Sequence, residues 1–316
     1  MPCYHPLQAS FSVREDGKKD LRFNSRLSAD AAMAFYEGRK LPDFVKDSVL
    51  SLPCGTCMGC RLERSRQWAT RCMHEASLHE DNCFLTLTYN PENLPSDGSL
   101  NKTHFQLFMK RLRRQWPGVR FYMCGEYGED FGRPHYHAVL FGMNFPDRYR
   151  WRKVNGHQLY RSPKLEALWQ LGHCEIGAVT FESAAYVARY CMKKITGDAA
   201  EAHYSYVDED TGEVCRREPE FCHMSLKPGI GARWLEKYQS DVYPAGEMVV
   251  RGVKSKSPRY YDKLYRRVDR VEHDYMKSER AANIMPAQHA EGSESRLKVR
   301  EAVALARVSS LKRNNF

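Results

Sequence analysis

Two histidines separated by a single residue, His135 and His137, stand in the stretch RPHYHAVLFG. Because side chains alternate between the two faces of a β-strand, both imidazoles project from the same face. In that arrangement they can ligate one divalent ion, and the apolar residues that follow predict a strand inside a sheet. An isolated pair of this kind is also consistent with two half-buried histidines that form only local hydrogen bonds.

A carboxylate precedes this pair. Glu126 stands near the end of the apolar stretch VRFYMCGEYG, before a glycine-containing turn. A short loop between two strands favours antiparallel pairing, which brings this carboxylate next to the histidine end of the following strand. Two imidazoles and one carboxylate suit Mg²⁺, Mn²⁺ or a similar ion that polarises a phosphate. We therefore predict a metal site formed by Glu126, His135 and His137.

Paired tyrosines follow in the stretch YVARYCMKK. Tyr186 and Tyr190 are four residues apart, so they lie one turn apart on one face of a predicted helix. Lys193 and Lys194 continue near that face. A tyrosine hydroxyl, with a pKa of about 10, is a poor nucleophile at neutral pH unless a polarised phosphate and a nearby cation assist it. The alternative is that both tyrosines are core-facing aromatic residues, although Val187 could supply the core contact instead.

Periodicity and turn signals predict the elements that must position these residues. Helices are predicted over 61–80, 101–118, 164–170 and 182–197, and strands over 83–90, 119–128, 134–143 and 173–181. Thr103 and Ser183 are the predicted N-caps of the second and fourth helices. Residues 145–162 are predicted to be an irregular basic loop.

These elements predict an α+β fold with a central antiparallel sheet and flanking helices. A cysteine-containing N-terminal arm precedes it, and a helical or disordered tail, solvated from about Tyr265, follows it. The predicted division is an arm over 1–60, a domain over 61–200 that carries the predicted metal site and the paired tyrosines, an accessory segment packed on it over 201–262, and a charged tail over 263–316.

The formal net charge of +10 over 316 residues favours a polyanionic partner such as nucleic acid. No run of about eighteen apolar residues is present, so no membrane span or membrane partner is predicted. The first residues, MPCYHPLQAS, lack the layout of a signal peptide. We therefore expect a cytoplasmic protein whose eleven cysteines are thiols or metal ligands rather than disulfides.

A C-x2-C-x2-C pattern offers three of the four ligands of a tetrahedral zinc site. Its members are Cys54, Cys57 and Cys60. Cys3, His5 and Cys72 are the candidates for the fourth ligand. Structural Zn²⁺ and free thiols are both consistent with the pattern, and an iron–sulfur centre is a lesser alternative. Bound zinc would attach the N-terminal arm to the domain that follows.

Arginines and aromatic residues alternate in the stretch DRYRWRKVNG, a composition typical of single-stranded DNA contacts. The candidate DNA-binding residues are Arg148, Arg150, Trp151, Arg152 and Lys153. The basic face from Lys110 to Arg114 is more simply explained as a solvated helix surface.

The motif order FLTLTYN, GEYG, GRPHYHAVLFG, YVARYCMKK resembles the HUH endonucleases that initiate rolling-circle replication. More closely, it is similar to the replication initiators of the microviruses, which are small icosahedral single-stranded DNA phages. The stretch PCGTCMGCRLERSRQWATRC is similar to their gokushovirus branch. The resemblance covers roughly residues 50–197, and only the combination of motifs is specific.

The resemblance implies a metal-dependent nickase that cuts single-stranded DNA at the phage origin through a 5′-phosphotyrosyl intermediate and rejoins it. The carboxylate and the two histidines would hold Mg²⁺ or Mn²⁺, and the paired tyrosines would be alternating nucleophiles. The lysine that follows them would be Lys193 or Lys194, with Lys193 better aligned. Arg189 stands where related sequences often have lysine. The implied partners are origin DNA and host helicase and polymerase, in the cytoplasm of the infected bacterium.

Two other functions are consistent with parts of the pattern. A relaxase or a transposase would use the same chemistry, although the paired tyrosines and the cysteine stretch argue against it. A non-catalytic, zinc-stabilised DNA-binding protein would not need the metal ligands and tyrosines in this order.

Overall fold

The computed structural model describes residues 3–13, 19–23, 49–128, 132–190, 199–207, 211–283 and 291–310. The strands are β1 (Leu7–Val13), β2 (Lys19–Phe23), β3 (Val49–Leu52), β4 (Asn82–Thr88), β5 (Arg120–Tyr127), β6 (Pro134–Phe141), β7 (Tyr149–Val154), β8 (His157–Arg161), β9 (Cys174–Gly177), β10 (Ser205–Val207), β11 (Val214–Arg216), β12 (Phe221–Met224), β13 (Glu247–Val250) and β14 (Val253–Lys256). The α-helices are α1 (Met58–Ala76), α2 (Lys102–Gln115), α3 (Pro163–Trp169), α4 (Phe181–Tyr190), α5 (Ala199–Tyr204), α6 (Ala232–Lys237), α7 (Gln239–Val242), α8 (Arg259–Val268), α9 (Arg270–Ala282) and α10 (Glu294–Ser310). Within these ranges, no helix is both long and apolar enough to cross a membrane.

Two compact units make up the chain, Met1–Arg64 with Lys277–Asn314 and Ser65–Met276 with Asn315–Phe316. In the smaller unit, β1 pairs antiparallel with β2 on one side and with β3 on the other. The four-part division of the chain predicted from the sequence stays a prediction.

The larger unit contains a seven-stranded sheet with the strand order β12-β5-β6-β4-β9-β8-β7. Every pair of neighbouring strands in it is antiparallel. This confirms the predicted α+β class with a central antiparallel sheet and flanking helices. β5 and β6 are neighbours, as the predicted hairpin requires.

Alternate residues of the sheet bury on opposite faces. On one face, Leu85 and Leu140 belong to a core shared with α2 and α3. On the other face, Phe84 and Val139 belong to a core shared with α1 and α4. α2 buries residues at the i, i+3, i+4 and i+7 spacing of an amphipathic helix, namely Phe105, Phe108, Met109 and Leu112. Burying each of these side chains contributes about 1.5–3 kcal/mol.

In both helices the residue at the cap position lies two or three residues before the predicted N-cap. The side chain of Asn101, not Thr103, caps α2 by accepting a hydrogen bond from the Thr103 backbone N–H at 2.9 Å. Before α4, the hydroxyls of Thr180 and Ser183 each accept from the other residue's backbone N–H, at 3.1 and 2.9 Å. This reciprocal pattern is a capping box, in which Thr180 takes the cap position and Ser183 lies inside the first turn.

The basic segment predicted to be irregular is instead the β7–β8 hairpin at one edge of the sheet. Its turn is Asn155-Gly156, with φ values of 48° and 83°. Positive φ at both central residues is the signature of the type I′ hairpin turn, which Asn-Gly favours. β7 has no buried residue, so the alternation of apolar and polar side chains that usually indicates a strand is absent.

The C-terminal part is helical, as predicted, in α8, α9 and α10. It is not simply solvated, because Tyr261 and Tyr265 of α8 are buried in a third core with Tyr243 and Leu235. Charged residues dominate the composition of this segment and obscure the i, i+4 spacing of the two buried tyrosines.

Candidate active site

Adjacent strands bring the three predicted metal ligands together. Glu126 lies on β5 directly opposite His135 on β6, and His137 follows two residues later. Two-residue alternation places all three on the sheet face that packs against α1 and α4. Their ligand atoms all lie within 4.8 Å of one another.

The Oε1 atom of Glu126 lies 3.0 Å from Nε2 of His135 and 2.9 Å from Nε2 of His137. On the other side of its ring, His135 places Nδ1 3.0 Å from the Arg133 carbonyl oxygen. A carbonyl only accepts, so Nδ1 carries the proton and a neutral His135 presents a lone pair to the carboxylate. Two acceptors at this distance repel unless a proton or a cation lies between them.

Glu126 is a buried anion. Its exposed fraction is 1% and that of His137 is 4%. Burial raises the pKa of the Glu126 carboxyl, but the hydrogen bonds and charges of His135 and His137 outweigh burial and hold the pKa below its ordinary value. The second oxygen, Oε2, is buried with no hydrogen-bond partner among the described residues. A buried carboxylate oxygen without a donor is unfavourable, which favours a cation at this position.

The separations fit an octahedral ion. Ligand atoms at about 2.1 Å from Mg²⁺ or Mn²⁺ lie about 3.0 Å apart when they occupy neighbouring positions. Both separations from Oε1 of Glu126 to the imidazole nitrogens agree with this value. The same separations suit hydrogen bonds from protonated imidazoles, so the geometry permits both states.

Thr86 is a part of the site that the sequence analysis did not identify. It lies on β4 opposite His137, and its Oγ1 is 3.0 Å from Nδ1 of that imidazole. A hydrogen bond to the second nitrogen orients the ring and leaves Nε2 directed at Glu126. The threonine alternation in FLTLTYN indicates a strand, but only the sheet order shows that β4 borders β6.

Tyr186 on α4 lies against His137, one of the predicted metal ligands. Its ring centroid is 5.0 Å from that of His137, with an interplanar angle of 88°. Tyr186 is half-buried, whereas Ala184, Val187 and Ala188 form the fully buried face of α4. Val187 lies within the core, and Tyr186 packs at the edge of the same core, 6.5 Å from Phe84 between ring centroids, with its ring also against His137.

Other predicted residues of this helix are only partly described. Tyr190 follows Tyr186 by one turn in the backbone of α4, but its side chain lies outside the described residues, as do Lys193 and Lys194. A described cation on the same helix is Arg189, whose guanidinium carbon is 5.9 Å from the Tyr186 ring centroid.

The predicted DNA-binding residues lie on or next to β7, on the same sheet. Two of them, Trp151 and Arg152, line a cavity of about 300 Å³ together with Thr86. Arg148 lines a separate cavity, and Arg150 and Lys153 are exposed along β7. The structure therefore places Trp151 and Arg152 beside Thr86, which contacts the predicted metal ligand His137. The other three predicted DNA-binding residues, Arg148, Arg150 and Lys153, lie outside this cavity.

Four further residues of the 300 Å³ cavity were not predicted, namely Thr88, Arg161, His173 and Glu175. The guanidinium carbon of Arg161 lies 4.2 Å from the Trp151 ring centroid and supports the exposed indole. Glu175 pairs with Arg152 at 2.8 Å. These contacts join residues of β7, β8 and β9, and they depend on the strand order of the sheet, which local sequence does not reveal.

A second candidate metal centre lies in the smaller unit. It contains the predicted Cys54, Cys57, Cys60 and Cys3, whose sulfurs lie within 4.8 Å of one another. The Sγ atom of Cys3 is 3.7 Å from that of Cys54 and 3.9 Å from that of Cys57. In a tetrahedral zinc site with Zn–S distances of about 2.3 Å, the sulfurs are about 3.8 Å apart. The donor set and its spacing therefore fit Zn²⁺.

Backbone N–H groups of Tyr4, Cys54 and Cys57 point at the sulfurs of this centre, each at 3.3 Å. Burial acts to raise the pKa of Cys54, but N–H groups of Cys57 and Thr56 and the Thr56 hydroxyl lower it to about 6. Burial and the neighbouring sulfurs raise the pKa of Cys60 to about 12. Cys54 is thus the sulfur most readily deprotonated, and bringing Cys60 to the same thiolate state near neutral pH requires a positive charge beside it.

The structure distinguishes the candidate fourth ligands. Cys3 joins the cluster, whereas His5 pairs with Glu301 at 2.8 Å. Cys72 is buried in the core between α1 and the sheet. The expectation of thiols or metal ligands throughout is wrong for Cys222, which is disulfide-bonded.

The family model for replication-associated protein ORF2/G2P matches residues 82–195, the segment that holds the candidate active site. Replication-associated protein VP4 of Bdellovibrio phage phiMH2K is 33% identical over 282 residues, covering 84% of this chain and 78% of that protein. Replication-associated protein ORF2 of Spiroplasma virus 4 is 30% identical over 297 residues, covering 89% and 86%. Replication-associated protein ORF4 of Chlamydia phage 1 is 31% identical over 242 residues, covering 71% and 56%. No solved structure matches the chain.

Proposed function

The chain belongs to the family of phage replication-associated proteins, and from this premise we propose that it initiates replication by nicking and rejoining single-stranded DNA. One observation carries the proposal. The imidazoles of His135 and His137 both approach Oε1 of the buried Glu126 carboxylate. The Tyr186 ring packs against His137 from the neighbouring helix. A metal triad beside a tyrosine is what nucleophilic attack on a phosphodiester requires.

Glu126, His135 and His137 would hold Mg²⁺ or Mn²⁺, which would polarise the scissile phosphate and stabilise charge on its oxygens. Thr86 keeps the His137 ring in its ligating orientation through the bond at Nδ1. The Arg133 carbonyl does the same for His135. Because these groups lie on paired strands, the ligand atoms are held before DNA arrives.

Tyr186 is the proposed first nucleophile. Its phenolic oxygen attacks phosphorus, the bond from phosphorus to the 3′ oxygen breaks, and the tyrosine proton is lost to solvent or to a nearby base. The products are a 5′-phosphotyrosyl ester and a free 3′ hydroxyl, which takes up a proton. The ester retains the energy of the cleaved bond, so a 3′ hydroxyl can reverse the step and reseal DNA.

Tyr190, one turn later, is the proposed second nucleophile for the regenerated origin, with Lys193 or Lys194 as the assisting cation. The free 3′ hydroxyl would prime a host polymerase, and host helicase is the other proposed partner. We place this activity in the cytoplasm of the infected bacterial host.

Single-stranded DNA would approach the metal site along the β7–β8 hairpin. The cavity that contains Trp151 and Arg152 adjoins Thr86 and hence the histidine pair. An exposed indole supported by a guanidinium can stack a base, and the exposed arginines of β7 can contact phosphates.

The cysteine centre has a separate proposed role as a structural zinc site. Cys3 precedes β1, Cys54 and Cys57 follow β3, and Cys60 lies in the first turn of α1. Zn²⁺ at these sulfurs would join the two ends of this segment within the smaller unit. Metal analysis of purified protein should find one zinc per chain, and zinc-free protein that folds normally would contradict the proposal.

The nickase proposal is tested with end-labelled single-stranded DNA tiled across the phage genome, full-length protein and Mn²⁺, resolved on a denaturing gel. We expect a DNA fragment linked to the protein through its 5′ end, which requires metal and is lost in the Tyr186→Phe/Tyr190→Phe double variant. The exposed Tyr275→Phe on α9 is the matched control and should retain the adduct. Tight binding without any adduct would favour a non-catalytic DNA-binding protein.

A further inference from the structure

A basic cleft on α8 and α9 plays no part in the proposed chemistry. It has a volume of about 390 Å³ and is lined by four cationic residues, Lys263, Arg266, Arg267 and Arg270. All four are exposed. Lys263, Arg266 and Arg267 follow the i, i+3 and i+4 spacing of one face of α8, and Arg270, the first residue of α9, lines the same cleft, so the four charges converge on one surface.

Only two of the four cationic residues form ion pairs among the described residues. Arg266 and Arg270 each lie 3.7 Å from Asp274. Lys263 and Arg267 have no ion-pair partner among the described residues. Like charges gathered at one place repel, and a polyanion that binds there relieves this repulsion.

The cleft is supported by a rigid base. On the opposite face of α8, the Tyr261 hydroxyl is hydrogen-bonded to Nδ1 of His74 at 2.9 Å, and the His74 ring stacks on Trp234 with a centroid distance of 3.5 Å. Tyr265 stacks on Tyr243 with a centroid distance of 4.0 Å and an interplanar angle of 3°. Because His74 belongs to α1, which packs on the central sheet, these contacts hold α8 against α1.

We propose that the cleft binds the phosphate backbone of double-stranded DNA, as a second nucleic-acid surface of the protein. No aromatic side chain lines it, so it offers no platform on which unpaired bases could stack. The β7–β8 hairpin has the opposite composition, with Trp151 among its arginines. Duplex DNA needs no stacking platform and presents one negative charge per about 1.7 Å of its axis.

The test measures binding of full-length protein to a 20-base-pair duplex and to a 20-nucleotide oligothymidine at several salt concentrations. In Lys263→Gln/Arg267→Gln, two phosphate contacts are lost, so the slope of log K against log salt for the duplex should be shallower by about 1.8. Between 50 and 200 mM salt, affinity for the duplex should therefore fall about 12-fold less than in the unaltered protein. Binding to oligothymidine should not change.

The matched control is Lys110→Gln/Arg114→Gln, which removes the same charge from the exposed face of α2. It should leave the duplex slope unchanged. An equal change in both variants, no change in either, or a change confined to oligothymidine would each overturn the proposal. Formation of the tyrosine adduct on single-stranded DNA is measured in parallel, because the cleft variant should retain it whether or not the cleft binds duplex.

Discussion

Thr86 provides a sharp test of the proposed metal site, because its hydroxyl contacts a ligand without being one. Valine has nearly the same shape, so Thr86→Val removes the Oγ1 partner of His137 Nδ1 and little else. Loss of a group that orients a metal ligand typically lowers metal affinity 10–100-fold. This corresponds to about 1.4–2.7 kcal/mol of binding free energy.

Thr88 is the matched control on the same strand and the same face. It lies opposite His135, but its hydroxyl donates to the His173 carbonyl oxygen at 3.1 Å instead of to a ligand. Thr88→Val removes one hydrogen bond and should lower the free energy of unfolding by about 0.5–1.5 kcal/mol, as Thr86→Val should. Metal affinity should change less than threefold in the Thr88 variant.

The assay is a Mn²⁺ titration followed by electron paramagnetic resonance, with the metal concentration needed for half-maximal adduct formation as a second measurement. Melting temperatures of both variants control for general destabilisation. If Thr86→Val bound Mn²⁺ as tightly as the unaltered protein, the orienting role of Thr86 would be refuted. If both variants lost affinity equally, the effect would reflect strand stability and not the His137 contact.

Three further predictions concern other parts of the molecule. Arg150→Ala/Arg152→Ala should weaken single-stranded DNA binding and make its salt slope shallower by about 1.4, and an unchanged slope would remove the hairpin from the binding surface. Cys57→Ser should lower bound zinc from one ion per chain to none in metal analysis, whereas Cys215→Ser, outside the cluster, should retain it. Burial lowers the pKa of His74 from its ordinary 6.5 to about 4, so the stability supplied by the neutral ring is present above pH 6.5 and is lost as the pH falls towards 4. From pH 7 to 5, chemical denaturation should therefore show about 2 kcal/mol more destabilisation in the unaltered protein than in His74→Phe, and parallel pH profiles would contradict this.

The central part of the fold follows from local sequence because its signals are strong and mutually consistent. β4, β5 and β6 are apolar runs with clear ends, and two-residue alternation determines which side chains share a face. A short connection between β5 and β6 favours antiparallel pairing, so the sequence alone predicts that Glu126 lies beside the histidine pair, as it does. The convergence of these three residues was accessible to sequence reasoning for this reason.

Contacts that depend on strand order were not accessible. Thr86 joins the site because β4 lies between β6 and β9, a topology that no local pattern specifies. The β7–β8 hairpin lacks a buried face, so periodicity gave no signal, although Asn155-Gly156 is a strong hairpin turn. Cys3 lies 51 residues before Cys54, and spacing alone left three candidates for the fourth ligand.

The two proposed DNA surfaces differ in a way that follows from their elements. β7 is an exposed edge strand with a shift of register between Arg150 and Arg152, and its adjacent residues Trp151 and Arg152 line one cavity with Thr86. α8 buries Tyr261 and Tyr265 on one face, and Lys263, Arg266 and Arg267 on its exposed side line the basic cleft. Unpaired bases stack on aromatic side chains, whereas a duplex is bound through its phosphates. The β7–β8 hairpin therefore suits single-stranded DNA, and the basic cleft suits duplex DNA. The proposed nicking activity would use both kinds of surface, since a strand that is cut at a duplex origin would have to leave the duplex to reach the proposed nucleophile Tyr186.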